Sequence, residues 1–277
     1  MKGPFMKQFL DWVRQISEGR LDGVSDGIVL AMAVVVGLLL LVSIIALIVE
    51  IFLALRYHAY NKKQNSINKT GEQIARELLD KEGLNDIAVK ATGSILFGNS
   101  YSHYFKKVRL RRLTWKKTSV SSLAMACQKS SLAVLDKEGD KDMKTRIVLT
   151  PMIYFGPLAF VPLILVGVLL DFLILKTNGV VTLIFLALAS LFYIVGFVMS
   201  VLVLKTEKKA QARALEIMKK DQLATPEEQE MCSKLFRLYN IEYVNDMIIS
   251  LLELIYYVLQ IVGYVQGGSF SSSSSNK

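Results

Sequence analysis

Few residues in this chain could supply an imidazole or a thiol for nucleophilic or metal chemistry. Its 277 residues include two histidines, His58 and His103, and two cysteines, Cys127 and Cys232. That scarcity excludes a disulfide framework and a histidine-rich metal site. A Ser/His or Cys/His nucleophile lacks a credible base, because His58 follows an apolar run, His103 precedes a strand-like segment and Cys127 lies on an apolar helical face. Cys127 reads as a buried free thiol. Two other features have chemical weight. Glu253 interrupts an apolar stretch, where a charged side chain costs about 3 kcal/mol, so it should face a bundle interior as a functional group or as a hydrogen-bonded packing residue. The run Lys106, Lys107, Arg109, Arg111, Arg112, Lys116 and Lys117, with Trp115 at headgroup level, could lie on anionic lipid, each well-placed charge contributing about 1 kcal/mol. An acidic protein partner and an ordinary cytoplasmic surface are the alternatives. Nucleic acid is not favoured, since no aromatic-interleaved signature accompanies the run.

The elements that must position these residues are mostly membrane helices. Apolar residues make up 52% of the chain and concentrate in four stretches, Gly27 to Val49, Ile147 to Leu170, Thr177 to Leu204 and Met247 to Val265. A bilayer core of about 30 Å needs roughly 20 apolar helical residues, so each stretch can span, and a soluble protein is ruled out. Spans are expected over 27–55, 147–175, 180–204 and 244–265, the first as a retained anchor. Of the 33 Lys and Arg residues, 19 fall in 56–146 and 8 in 205–246. Both polar blocks should therefore face the cytoplasm, with both termini outside and a tight external turn at Lys176-Thr177-Asn178-Gly179. Pro151, Pro157 and Pro162 should kink the second span.

Residues 1–26 read as an amphipathic segment on the outer leaflet, with Phe5, Phe9, Trp12, Val13 and Ile16 at helical spacing. Residues 64–144 read as a small cytoplasmic α+β domain. Thr70 and Gln73 form a capping box for a helix stopped by Gly83, Ile87 to Val89 and Tyr104 to Leu110 read as strands, and Ser119 caps a second helix. In 205–243 a helix continues from the third span, and Thr225-Pro226-Glu227-Glu228 starts another that runs to about Tyr239. The serine-rich tail 266–277 reads as disordered.

Thr70-Gly71-Glu72-Gln73-Ile74-Ala75-Arg76-Glu77-Leu78-Leu79-Asp80-Lys81-Glu82-Gly83-Leu84, followed by Ser102-His103-Tyr104 and Val108-Arg109-Leu110, resembles the YugP-like membrane zinc metallopeptidases. The similarity continues through Glu207, Ala210 and Arg213-Ala214-Leu215 to Leu252-Glu253-Leu254. It implies a zincin-like domain in which a helix after the VRL strand carries H-E-x-x-H, two histidines for zinc and a glutamate for its water. An ungapped count puts that motif on Gln128-Lys129-Ser130-Ser131-Leu132, so Gln128 and Leu132 replace the ligands and Lys129 the base. Glu207 would remain as a possible third ligand, while Lys209 replaces an acid of the pattern. One carboxylate does not hold a catalytic zinc.

The sequence thus describes an α-helical polytopic protein of a bacterial-type plasma membrane, with four spans and a degenerate peptidase domain. The expected function is that of an inactive pseudopeptidase binding lipids and another membrane or cytoplasmic protein, without a cofactor. A divergent peptidase, with zinc if the pseudopeptidase reading is wrong, and a transport or channel accessory using Glu253 are the alternatives. Oligomeric state is open.

Overall fold

The computed structural model describes residues 4–16, 23–93, 98–153, 157–177 and 179–274. The order is α1 (Pro4–Ile16), α2 (Asp26–Lys62), α3 (Gly71–Lys81), β1 (Ala88–Thr92), β2 (Ser100–Ser102), β3 (Lys107–Arg111), α4 (Arg112–Lys116), α5 (Val120–Lys137), α6 (Lys141–Ile153), α7 (Pro157–Leu169), a π-helical turn (Leu170–Leu175), α8 (Val180–Lys220) and α9 (Pro226–Ser274). They form two compact units, Met1–Ile45 with Pro151–Val198 and Asn245–Lys277, and Ala46–Thr150 with Met199–Val244.

Among the described residues, three helices are long and apolar enough to cross a membrane: α2, α8 and α9 to Gly263. Residues 154–156 of the expected second span lie outside the described residues. α6 ends at Ile153, α7 starts at Pro157, and the apolar helix Pro162–Leu175 is shorter than the other three. At its end Asp171 accepts hydrogen bonds from the backbone N–H and hydroxyl of Thr177 and from both groups of Thr182, closing the connection to α8. Asn178 of the expected external turn lies outside the described residues.

α9 differs most from the sequence reading. A helix ending near Tyr239, a separate span 244–265 and a disordered tail 266–277 are replaced by one helix to Ser274. No glycine or proline lies between Tyr239 and Met247 to stop it. Once nucleated, each further residue adds a hydrogen bond, so propagation carries the helix on into the serines.

The second unit holds the α+β segment. Thr70 caps α3 as read, its hydroxyl accepting from Gln73 N–H while the Gln73 side chain accepts from Thr70 N–H. Gly83 terminates α3 with φ of +66°, a conformation that costs glycine little. Gly71 is required for contact, since a Cβ there would stand 2.1 Å from the Thr114 carbonyl oxygen. The sheet has three strands in the order β1-β3-β2, with β1 parallel and β2 antiparallel to β3. β2 has no counterpart in the sequence reading, because Ser100-Tyr101-Ser102 is too short to show alternation.

α5 is the centre of this unit. The sequence suggests a helix with one apolar face, yet every residue from Val120 to Leu135 is buried. Ile74, Leu78 and Leu79 of α3 and Val108 and Leu110 of β3 share its core. So do Leu53 and Tyr60 of α2, Ala214, Ile217 and Met218 of α8, and Cys232, Leu235 and Phe236 of α9. The core therefore extends well beyond residues 64–144. Glu228 fastens the start of α9, accepting from Thr225 N–H and from the N–H and hydroxyl of Ser66.

Candidate functional site

Burial of α5 from Val120 to Leu135 forces a question about the one charged residue in that stretch, Lys129. An ammonium group out of water is costly unless it is paired. Its partner is Glu207 on α8, three residues past the apolar stretch 180–204. Lys129 Nζ donates to Glu207 Oε2 at 2.7 Å, and the side chains are only 8% and 2% exposed. Gln128 Nε2 donates to the same oxygen at 2.8 Å. Arg146 on α6 donates to Glu207 Oε1 at 3.1 Å and to Thr206 Oγ1 at 2.6 Å. Three helices of one unit thus meet on a single carboxylate with two cations. Burial alone would raise the Glu207 pKa, but the charges of Lys129 and Arg146 outweigh it and hold the carboxyl below its ordinary value of 4.5.

A family model described as "Putative neutral zinc metallopeptidase" matches residues 35–262. The chain belongs to that family. It is also 26% identical over 203 residues to the "Putative membrane protease YugP" of Bacillus subtilis (strain 168), a match covering 73% of this chain and 85% of the other. No solved structure gives a significant match.

Membership of a zinc metallopeptidase family asks whether this cluster could hold the metal. Zinc takes imidazole, thiolate and carboxylate donors in a tetrahedron. In the cluster Glu207 is such a donor, and both its oxygens already accept from Lys129, Gln128 and Arg146. Two cations on that carboxylate would repel Zn²⁺. Leu132 packs with Leu135, Met143 and Ala210 and offers no lone pair. The residues present do not fit zinc. Among the described residues, no three His, Cys, Asp or Glu side chains converge as a metal-holding group.

The remaining candidates lie outside this cluster. His58 is exposed on α2. Cys127 and Cys232 are buried free thiols, and burial pushes the Cys127 thiol well above its ordinary pKa. His103 Nδ1 lies 2.6 Å from Asp136 Oδ2, which also accepts from Tyr101 OH at 2.5 Å. Burial, then the Asp136 carboxylate, raises the Tyr101 pKa. Glu253 accepts from Tyr193 OH of α8, whose ring meets Tyr257 edge-on at 6.0 Å.

The basic run is divided by β3. Val108 and Leu110 face the core, while Lys107 and Arg109 approach the exposed Phe105 ring, at 4.4 and 5.9 Å from its centroid. Lys106 pairs with Asp86 at 2.7 Å. Arg111, Arg112, Lys116 and Lys117 are exposed, but Trp115 packs against the core instead of standing free for a headgroup. Because β3 is the central strand, its backbone is paired on both sides and cannot accept an added peptide strand.

Sequence reasoning missed Arg146 and the His103–Asp136–Tyr101 contact. A single charge within the uncharged stretch 120–135 was the available signal that Lys129 needs a buried partner.

Glu207→Gln should destabilise the full chain by about 3–5 kcal/mol, because two buried cations lose their anion. Lys129→Met should cost less, about 1.5–3 kcal/mol, since Arg146 still faces Glu207. Denaturant unfolding in detergent checks the order. A carboxyl with a lowered folded-state pKa stabilises above its ordinary value, so the wild-type advantage over Glu207→Gln should hold at neutral pH and disappear as pH falls through the folded-state pKa.

Proposed function

We propose that this chain is a catalytically silent member of the neutral zinc metallopeptidase family that acts in the membrane as a binding or scaffold subunit. The observation that carries this reading is the commitment of Glu207 to Lys129 and Arg146. Hydrolysis of the zinc type needs a polarised water and a base to take its proton. An ammonium already donating to Glu207 has no lone pair for that proton. Binding is assigned to the exposed basic residues Arg111, Arg112, Lys116 and Lys117, which suit anionic lipid or an acidic partner. A peptide joining by strand addition would use β1 or β2, the outer strands.

Full-length protein incubated with unfolded and membrane-embedded substrates should release no new termini, with or without zinc. Chelator-sensitive cleavage that is lost in Glu207→Gln would overturn the reading. Co-purification of lipid or protein from native membranes should weaken when the four basic residues are neutralised, and unchanged capture would remove the role assigned to them.

We further propose four spans, with Pro162–Leu175 completing the second, both termini outside and the two polar blocks in the cytoplasm. The support is the charge asymmetry, 27 of 33 Lys and Arg lying in those blocks. In a background lacking Cys127 and Cys232, cysteines placed at Gln8 and Thr177 should label from outside, and those at Lys90 and Glu230 only after permeabilisation. The reverse pattern would contradict the orientation.

A further inference from the structure

The apolar residues of α1 divide into two stripes. Met6, Leu10 and Val13, at helical spacing, pack with Val24, Ile28, Val29 and Leu30 around the start of α2, and Leu10 is buried there. Phe9 and Trp12 lie to one side of that contact with ring centroids 6.2 Å apart, and Trp12 is 57% exposed. Lys7, Gln8, Asp11 and Gln15 are exposed on the side away from the packed stripe. Arg14 fixes the helix, donating to the Val24 carbonyl at 2.7 Å and to Asp26 at 2.9 Å. Asp26 is the first residue of α2, and the uncharged stretch of that span starts directly after it.

We propose that Phe9 and Trp12 form an interfacial anchor that enters the headgroup and upper acyl region of the bilayer spanned by α2. Three observations identify lipid as the occupant. Arg14 ties α1 to the residue at which the apolar span begins, which puts its aromatic pair at the level of a bilayer boundary. The exposed polar side chains Lys7, Gln8, Asp11 and Gln15 cover the side of α1 away from its packed stripe, which leaves the aromatic pair at the border between polar and apolar faces where an interfacial helix meets the headgroups. The exposed apolar surface of α2, including Val34, Leu38 and Leu41, continues within the same unit. Tryptophan is enriched at bilayer boundaries because its ring is apolar while its N–H still reaches water or headgroups. A helix docked by one stripe and immersed by the other would hold the outer end of α2 at a fixed depth.

The chain has two tryptophans, so the difference between wild type and Trp12→Phe isolates Trp12 emission. Because Trp12 is exposed, this variant should fold normally. Full-length protein is reconstituted in phosphatidylcholine vesicles whose acyl chains are brominated either near the headgroup or near the methyl ends, and aqueous iodide is added separately. Strong quenching by the shallow bromines, weak quenching by the deep ones and protection from iodide are expected. Iodide quenching as strong as that of free tryptophan would overturn the proposal. So would protection from both iodide and bromines, which would mean that protein, including a second copy of this chain, covers the pair. Trp115→Phe provides the same comparison with Trp12 as the sole emitter.

Discussion

A lysine within the fully buried stretch Val120–Leu135 of α5 imposes the constraint on which the second unit depends. Removing an ammonium from water costs several kcal/mol even after relaxation, and only a well-placed anion offsets it. Glu207 must therefore lie opposite Lys129, which fixes the register of α8 against α5. Arg146 then adds a second cation and brings α6 to the same point. Gln128 and the Thr206 hydroxyl complete the set by hydrogen bonds. The cluster keeps a net positive charge, so its components are held by mutual need and not by neutrality.

The same geometry bears on the chemistry that the family name describes. A metal ion and a protonated lysine can both satisfy a buried glutamate electrostatically, but only the metal offers an open coordination position for water. Lys129 is tethered, cannot exchange for a ligand and cannot accept a proton while charged. A zinc-dependent family architecture can thus persist with an internal ion pair holding its helices together.

Much of this organisation was legible in the residues, and the parts that were not share a cause. Capping signals are local, so the Thr70–Gln73 box and the Thr225 to Glu228 start of α9 are found where the sequence places them. The apolar lengths of α2, α8 and α9 are equally direct. Burial of a helix on every side is not local. Ser121, Ser122 and Gln128 lie away from the apolar stripe of α5 and look solvated in sequence, yet they are buried because α8 and α9 contribute to this unit's core. The pairing of β3 on both edges depends on the three-residue β2, which carries no periodicity. Arg146 stands in sequence as one more positive charge near a span, and only the fold brings it to Glu207.

The most direct test is elemental analysis of zinc in full-length protein purified without chelator from cells grown with zinc. Far less than one zinc per chain is expected, together with a thermal midpoint that does not change when chelator is added, because Lys129 and Arg146 already satisfy Glu207. Near-stoichiometric zinc that disappears on Glu207→Ala would contradict this, since it would place a metal on the carboxylate that the two cations are held to occupy.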